Sequence, residues 1–130
     1  MEAGYRHTLN WCMDDAPIWM HTRAGRLLAI PYPREVNDIP SIVARKDGAG
    51  YFAGMIIDDF EERIRQIADG KPQVIGIALH PYLVGQPHRM RHLRRALEHI
   101  TARRGDIWIT TAGAIYDHAL TLPKGIIPGE

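Results

Sequence analysis

The pattern of apolar positions is clearest in the second half of the chain, where it repeats with helical spacing. Between residues 49 and 68 apolar side chains recur every three or four positions, which predicts an amphipathic helix. Gly70 follows this stretch and suits a left-handed helix end. A second helix is predicted to open around Pro87, because proline is tolerated in a first helical turn. The predicted apolar stripes are Phe52, Ile56, Phe60, Ile64 and Ile67 in the first helix and Met90, Leu93, Leu97 and Ile100 in the second.

Two short apolar runs lie between and after these helices. QVIGIALH at residues 73–80 and DIWIT at residues 106–110 do not alternate with polar residues. This is typical of strands that are buried on both faces in a parallel sheet. Thr111 can cap a last helix over residues 112–120. The resulting order of elements predicts an α/β fold in which parallel strands alternate with helices through right-handed crossovers.

The first third of the chain carries shorter predicted elements. Residues 5–13 are apolar and aromatic enough for a strand, and residues 26–30 form a second one that stops at a proline. A short helical turn is predicted near residues 41–46. We expect one domain over residues 1–121, followed by a loose tail over residues 122–130, because the tail is rich in proline and glycine.

Composition narrows the class of protein. A chain of 130 residues fits one domain, and 16 basic against 15 acidic residues leave a net charge of +1. This balance gives no reason to expect nucleic acid or a membrane as a partner. A single cysteine, Cys12, cannot form an internal disulfide, which indicates a reducing compartment, and we expect the cytoplasm. The chain start has no apolar signal-peptide core, and no stretch is apolar for long enough to span a membrane.

The best single candidate for chemistry is His80, at the carboxyl end of the predicted strand 73–80. Functional groups of parallel sheets gather at that edge, because the loops that follow the strands converge there. Pro81 restrains His80 to extended geometry and so fixes the direction of the imidazole. Histidines take up and release protons near neutral pH, as general acid–base catalysis requires. A histidine that only hydrogen-bonds a loop remains the alternative.

A second candidate is the segment that holds Trp11, Asp14, Asp15 and Trp19. Paired acids followed by a proline suit a loop lining a pocket, where they could bind a substrate or orient a histidine. The two indoles could supply a flat apolar wall. The alternative, which the segment by itself favours, is a capping aspartate with core indoles.

Asn37 and Asp38 form a third candidate, in a loop bounded by prolines. They could contact a polar substrate or support a turn with their side chains. His88 and His92 are four residues apart on one predicted helix, but the residues between them are Arg, Met and Arg. Those cations would oppose a divalent ion, so no metal ligand is assigned. The arginines of this helix are interpreted as a solvated face.

Several stretches together resemble one family. Residues 79–89, LHPYLVGQPHR, resemble the late histidine motif of the polysaccharide deacetylases, and more closely that of their allantoinase-like branch. Residues 11–19 are similar to the branch's aspartate, proline and tryptophan segment. Residues 30–33 with 37–38 resemble its next strand and loop, and residues 107–111 its closing strand. The similarity runs in order along nearly the whole chain.

The resemblance implies a distorted (β/α) barrel of roughly seven or eight strands. It implies hydrolysis of amide-type C–N bonds, on acetylated sugars or on ureide-like small molecules, with His80 protonating the departing nitrogen. Many members use a divalent metal such as zinc. The family's early aspartate pair and paired-histidine ligands have no counterpart ahead of Tyr5. The chain therefore resembles the carboxy-terminal half of the domain, and we expect its active site to lack the base and the metal.

Two functional hypotheses follow. The first is a hydrolase of a non-peptide C–N bond in a small molecule or sugar amide, and the second is a non-catalytic, truncated member that serves as an oligomeric binding or structural protein. Half a parallel barrel would expose unpaired strand edges, so we expect a homo-oligomer, most simply a dimer. The catalytic residue predicted is His80. The residues predicted to bind substrate are Trp11, Asp14, Asp15, Trp19, Asn37, Asp38 and Tyr82.

Overall fold

The computed structural model describes residues 4–68, 70 and 72–129. It separates into two compact units, one made of Met1–Tyr32 with Ile109–Glu130 and the other of Pro33–Trp108. The elements are strands β1 (His7–Thr8), β2 (Ile18–Thr22) and β3 (Gly25–Ala29) and helices α1 (Ala49–Ile67), α2 (Pro81–Val84), α3 (Pro87–Ala102) and α4 (Ala112–Ala119), with a π-helical turn at Ile39–Ala44.

The first unit is built on a three-stranded sheet in the order β1-β3-β2. β1 runs parallel to β3, and β2 runs antiparallel to it. His7 and Trp19 both align with the buried Leu28, so the three side chains lie in one row on one face of the sheet. Tyr116 of α4 packs its ring 6.1 Å from that of His7 and 6.0 Å from that of Trp19.

The second unit is helical. α1 packs along α3 over a core that also takes in side chains from α2 and from the π-helical turn. Across the outer edge of the helix pair, Nε2 of His99 lies 2.6 Å from a carboxylate oxygen of Glu61. The buried members of the core are Ile42, Phe52, Ala53, Ile56, Leu83, Val84, Leu93 and Ala96.

The predicted helices are largely confirmed. Residues 49–67, 87–102 and 112–119 are helical, and the hydroxyl of Thr111 accepts a hydrogen bond from the backbone of Ala114 as the predicted cap. Gly70 has the predicted positive φ, 81°. The short helix α2 was not predicted. None of the described helices is both long and apolar enough to cross a membrane.

The predicted strands are mostly wrong. Of residues 5–13 only His7–Thr8 form a strand, and residues 73–80 join a neighbouring segment through a single parallel bridge, Asn37 to Ala78. Residues 106–110 form no strand, and Trp108 within them is exposed. The reason is that apolar composition predicts burial, whereas a strand also needs an adjacent backbone to complete its hydrogen bonds.

The fold class is α/β, as predicted, but parallel strands alternating with helices are not what the described residues form. The strands gather near the start of the chain, and one of the two strand pairs is antiparallel. β2 occupies part of the segment interpreted as a pocket loop. Within residues 122–129 of the tail predicted to be loose, Ile127 is buried, and the carbonyl of Pro128 accepts a hydrogen bond from the backbone of Trp19 at 2.8 Å.

Candidate functional site

The candidate site is built around His80, which immediately precedes α2. Its backbone is extended, with φ −115° and ψ 115°, and Pro81 occupies the first position of α2. This is the geometry that the following proline favours. The carbonyl of His80 accepts hydrogen bonds from the backbones of Leu83 and Val84 at 2.9 and 3.1 Å, so the residue is fixed to the first turn of the helix.

The carboxylate of Asp38 contacts His80 at two points. One oxygen lies 2.7 Å from Nδ1 of the imidazole, and the other accepts the backbone N–H of His80 at 2.7 Å. Asp38 is 0% exposed. Because an ionised carboxylate can only accept hydrogen bonds, this arrangement favours the tautomer with the proton on Nδ1. The two contacts fix both the position and the rotation of the ring.

Nε2 is the ring nitrogen left for chemistry. The side chain of His80 keeps 37% of its surface exposed, whereas its partner is enclosed. A neutral ring in this tautomer can accept a proton at Nε2, and the buried carboxylate stabilises the imidazolium that results. The pair can therefore accept and deliver a proton at Nε2 of a partly exposed ring.

A backbone bridge places Asp38 next to the extended segment of residues 73–80. The backbone N–H of Asp38 donates to the carbonyl of Ala78 at 3.2 Å, and that of Ala78 donates to the carbonyl of Val36 at 3.1 Å. These two bonds form the parallel bridge. They place residue 38 beside residue 80 although 42 positions separate the two in the sequence.

The π-helical turn that follows holds this loop in place. Asn37 is buried, and its side-chain oxygen accepts the backbone N–H of Ile39 at 3.2 Å, which is a side-chain-supported turn. The hydroxyl of the buried Ser41 donates to Asp47 at 2.9 Å, and Arg45 donates to the same carboxylate at 3.0 Å. The turn that follows Asp38 is thus fixed by polar contacts at both of its ends.

Tyr82 lies next to the imidazole on the solvent side. Its ring centroid is 5.8 Å from that of His80, with the two planes 66° apart, and the residue is 67% exposed. The neighbouring Leu83 and Val84 are buried. Successive helical side chains point about 100° apart, so their burial directs the tyrosine outward.

The predicted site residues divide between the two units. The structure brings Asn37, Asp38, His80 and Tyr82 together in the second unit, and the other four predicted residues belong to the first. There, Trp11 is exposed, and a carboxylate oxygen of Asp14 accepts the backbone N–H of Asp15 at 2.7 Å.

Trp19 is buried in β2, with the guanidinium of Arg26 4.7 Å above its ring. The predicted substrate roles of the four first-unit residues stay predictions.

Sequence reasoning identified His80 and Asp38 separately but missed that they form a pair. It predicted that Asp38 binds substrate or supports a turn, and in the structure both of its carboxylate oxygens contact the histidine. A histidine–proline and an asparagine–aspartate dipeptide are visible signals, yet only the backbone bridge shows that they are neighbours.

The divalent metal implied by the resemblance has no ligand set within the described residues. No group of three His, Cys, Asp or Glu side chains there is arranged to hold an ion. His88 is exposed, and the ring of His92 packs against Gly50. The chemistry that the described residues support is proton transfer by the Asp38–His80 pair.

No family model matches the chain. A Schizosaccharomyces pombe protein named as a polysaccharide deacetylase is 33% identical over an alignment of 108 residues, which covers 75% of this chain and 33% of that protein.

Two crystal structures share the fold. PuuE allantoinase superposes with a TM-score of 0.84 at 27% identity, over 94% of this chain and 41% of its own. A Pseudomonas aeruginosa PAO1 protein assigned to the polysaccharide deacetylases superposes with a TM-score of 0.75 at 25% identity, over 90% of this chain and 39% of its own.

The chain thus spans about a third of the curated relative and about two fifths of each structural relative. The resemblance inferred from the histidine motif and its companion segments is confirmed. The chain is related over most of its length to the polysaccharide deacetylases, with PuuE allantoinase among its structural relatives, and it corresponds to part of their length.

Proposed function

We propose that this chain contributes the proton-transfer side of a hydrolase that cleaves a non-peptide C–N bond, in an amide or a ureide. The observation that carries the proposal is the double contact of the buried Asp38 with His80. The names of the relatives, deacetylase and allantoinase, support the class of bond.

Hydrolysis adds water across the C–N bond: the water oxygen bonds to the carbonyl carbon, and the departing nitrogen takes a proton, because an amide anion is too basic to leave. His80 supplies that proton from Nε2, while Asp38 holds Nδ1 and stabilises the charged ring before transfer. The aspartate does not touch the substrate in this scheme. It acts as a positioning residue, and its burial keeps water from competing for its two contacts.

The fold and assembly belong to the same proposal. We assign the chain to the carboxy-terminal part of a (β/α) barrel of the deacetylase type, working in the cytoplasm as a homo-oligomer. The exposed apolar side chains of the second unit and the single bridge of residues 73–80 support an interface there. Light scattering of the purified chain tests this, and a stable monomer at micromolar concentration would contradict it.

The catalytic proposal is tested with two substrates that follow from the relatives' names. Allantoin is assayed for ring opening and an N-acetylglucosamine oligomer for acetate release. If the homo-oligomer completes the site, the wild-type chain hydrolyses one of them, and His80→Ala lowers the rate by about 10²- to 10⁴-fold. Asp38→Asn should lower the rate as well, through loss of ring orientation.

His88→Ala is the matched control, because this histidine is exposed on α3 and has no role in the scheme. Its rate should equal that of the wild type. Equal activity in the His80→Ala variant would reject the assignment of the acid. Absence of hydrolysis by the wild type would reject catalysis by this chain in favour of a non-catalytic binding protein.

A further inference from the structure

The carboxylate of Asp38 does not cap the turn that it precedes. Asp38 occupies the position before the π-helical turn, where an aspartate ordinarily accepts a hydrogen bond from one of the first backbone N–H groups. Its side chain makes no such bond. Both of its oxygens instead contact His80, 42 residues further along the chain. A long-range contact has therefore replaced the local one that this position favours.

The next three residues offer this carboxylate no free backbone donor. The N–H of Ile39 donates at 3.2 Å to the side-chain oxygen of Asn37. Pro40 has no N–H. The N–H of Ser41 donates at 3.2 Å to the backbone carbonyl of Asn37. Asn37 thus accepts both of the hydrogen bonds for which the first turn would otherwise compete with His80.

Another aspartate of the chain shows the local bond that Asp38 avoids. A carboxylate oxygen of Asp14 accepts the backbone N–H of the next residue, Asp15, at 2.7 Å. The residue before Asp14 is Met13, whose side chain has no amide oxygen to take that N–H. The same bond is open to Asp38 once the acceptor on Asn37 is removed, because it needs only two adjacent residues.

We propose that Asn37 is a positioning residue for proton transfer at His80. Its side-chain oxygen accepts the N–H of Ile39 and so keeps the carboxylate of Asp38 available for two contacts with the histidine. Asn37 is 9% exposed, so water does not readily replace it as the acceptor. The inference rests on the proposed function and deepens it, because it names a further residue on which the geometry of the acid depends.

The tautomer of His80 tests this role in the purified chain without any need for hydrolysis. Asn37→Ala removes the acceptor, so Asp38 should bind the N–H of Ile39 and lose one of its contacts with the histidine. We expect the ratio of rings protonated on Nδ1 to rings protonated on Nε2 to fall by about three- to tenfold, which is the scale of one hydrogen bond. The ring ¹⁵N chemical shifts measure this ratio. Asn37→Ser should restore part of it, because a hydroxyl supports the same turn more weakly.

Ser41→Ala is the matched control, since it also removes one side-chain hydrogen bond from this turn, the bond from the buried Ser41 hydroxyl to Asp47. It should lower the unfolding midpoint and leave the tautomer ratio at the wild-type value. An equal change of the ratio in Ser41→Ala and Asn37→Ala would show a general loss of stability and would reject the positioning role. An unchanged ratio in Asn37→Ala would reject it as well.

Kinetics separate positioning from the predicted contact of Asn37 with substrate. In an active assembly Asn37→Ala should lower kcat with little change in KM, because the residue acts on the proton donor. A raised KM with an unchanged tautomer ratio would overturn the inference in favour of substrate binding. Failure of the proposed function has a different signature: hydrolysis is absent or insensitive to His80→Ala, while the tautomer ratio still responds to Asn37→Ala.

Discussion

Asp38 holds His80 by two bonds of 2.7 Å, one to Nδ1 and one to the backbone N–H. A single contact to the ring would leave the imidazole free to swing with its own backbone. The second contact ties that backbone to the same carboxylate, so ring and main chain move together. The relationship makes residue 38 a determinant of the geometry at residue 80 without any contact to a substrate.

Replacing Asp38 with asparagine should remove the preference of His80 for the tautomer with the proton on Nδ1. In Asp38→Asn the side chain retains one acceptor, and its NH₂ group faces a donor of His80. We expect proton occupancy to shift from Nδ1 toward Nε2, read from the ring ¹⁵N chemical shifts. The free energy of unfolding should fall by about 1–3 kcal/mol, because a buried donor loses its partner.

The control for that substitution is Asp58→Asn, since Asp58 is exposed on α1. It should change neither the ring shifts nor the unfolding midpoint. An imidazole that stays protonated on Nδ1 to the same extent in Asp38→Asn would show that the carboxylate does not set the tautomer.

Two leucines on α3 should differ sharply in their contribution to stability. Leu93 is 7% exposed within the helical core, whereas Leu97 is 40% exposed. We expect Leu93→Ala to lower the free energy of unfolding by about 2–5 kcal/mol and Leu97→Ala by less than about 1 kcal/mol. Urea denaturation measures both. Equal losses would mean that the two side chains are buried alike in solution.

Alanine substitutions at two glycines near the carboxyl end distinguish the effect of steric overlap from that of backbone strain. Gly125 and Gly129 have φ of 87° and 85°, so alanine is strained at either position. A Cβ at residue 125 meets open space, whereas one at residue 129 overlaps the backbone carbonyl of Trp19. We expect Gly129→Ala to break the bond from the Trp19 amide to Pro128 and to destabilise the protein more than Gly125→Ala.

Amide hydrogen exchange at Trp19 measures the difference between the two variants. The N–H of Trp19 should exchange faster in Gly129→Ala than in the wild type, and at the wild-type rate in Gly125→Ala. Identical protection of this amide in both variants would show that the tail is not held through it.

One surface carboxyl has a markedly lowered pKa. Hydrogen bonds from Arg65, at 2.6 and 2.9 Å, and from Gln66 lower the pKa of Glu62 from 4.5 to about 2. Because the folded-state pKa is the lower one, the stabilisation from this carboxylate is present above pH 4.5 and is lost as the pH falls toward 2. NMR titration of the glutamate side chain should give its midpoint near 2.

Arg65→Gln should move that midpoint back toward 4.5, since the guanidinium is the main cause of the shift. Gln66→Ala should move it less. A midpoint near 4.5 in the wild-type protein would show that the exposed pair does not form in solution.

The local pattern of the sequence predicted the helices well. The spacing of Phe52, Ile56 and Phe60 defines one face of α1, and Pro87 and Thr111 mark the starts of α3 and α4. These features act within a few residues of one another, so the sequence contains all that is needed to interpret them. The predicted apolar stripe of α3 was wrong in one detail: Ala96 lies in the core, whereas Leu97 is exposed. The position of α1, which packs against α3, decides which of these two neighbouring residues is buried.

Strands and the site geometry depended on partners distant in sequence. The sequence by itself determined that His80 would be extended before Pro81 and that an acid at residue 38 would lie in an ordered loop. Only the tertiary structure decided that the two residues are neighbours, because the parallel bridge between Asn37 and Ala78 joins segments about forty residues apart. The same dependence on an adjacent backbone explains why the apolar runs at 73–80 and 106–110 are not strands in the structure.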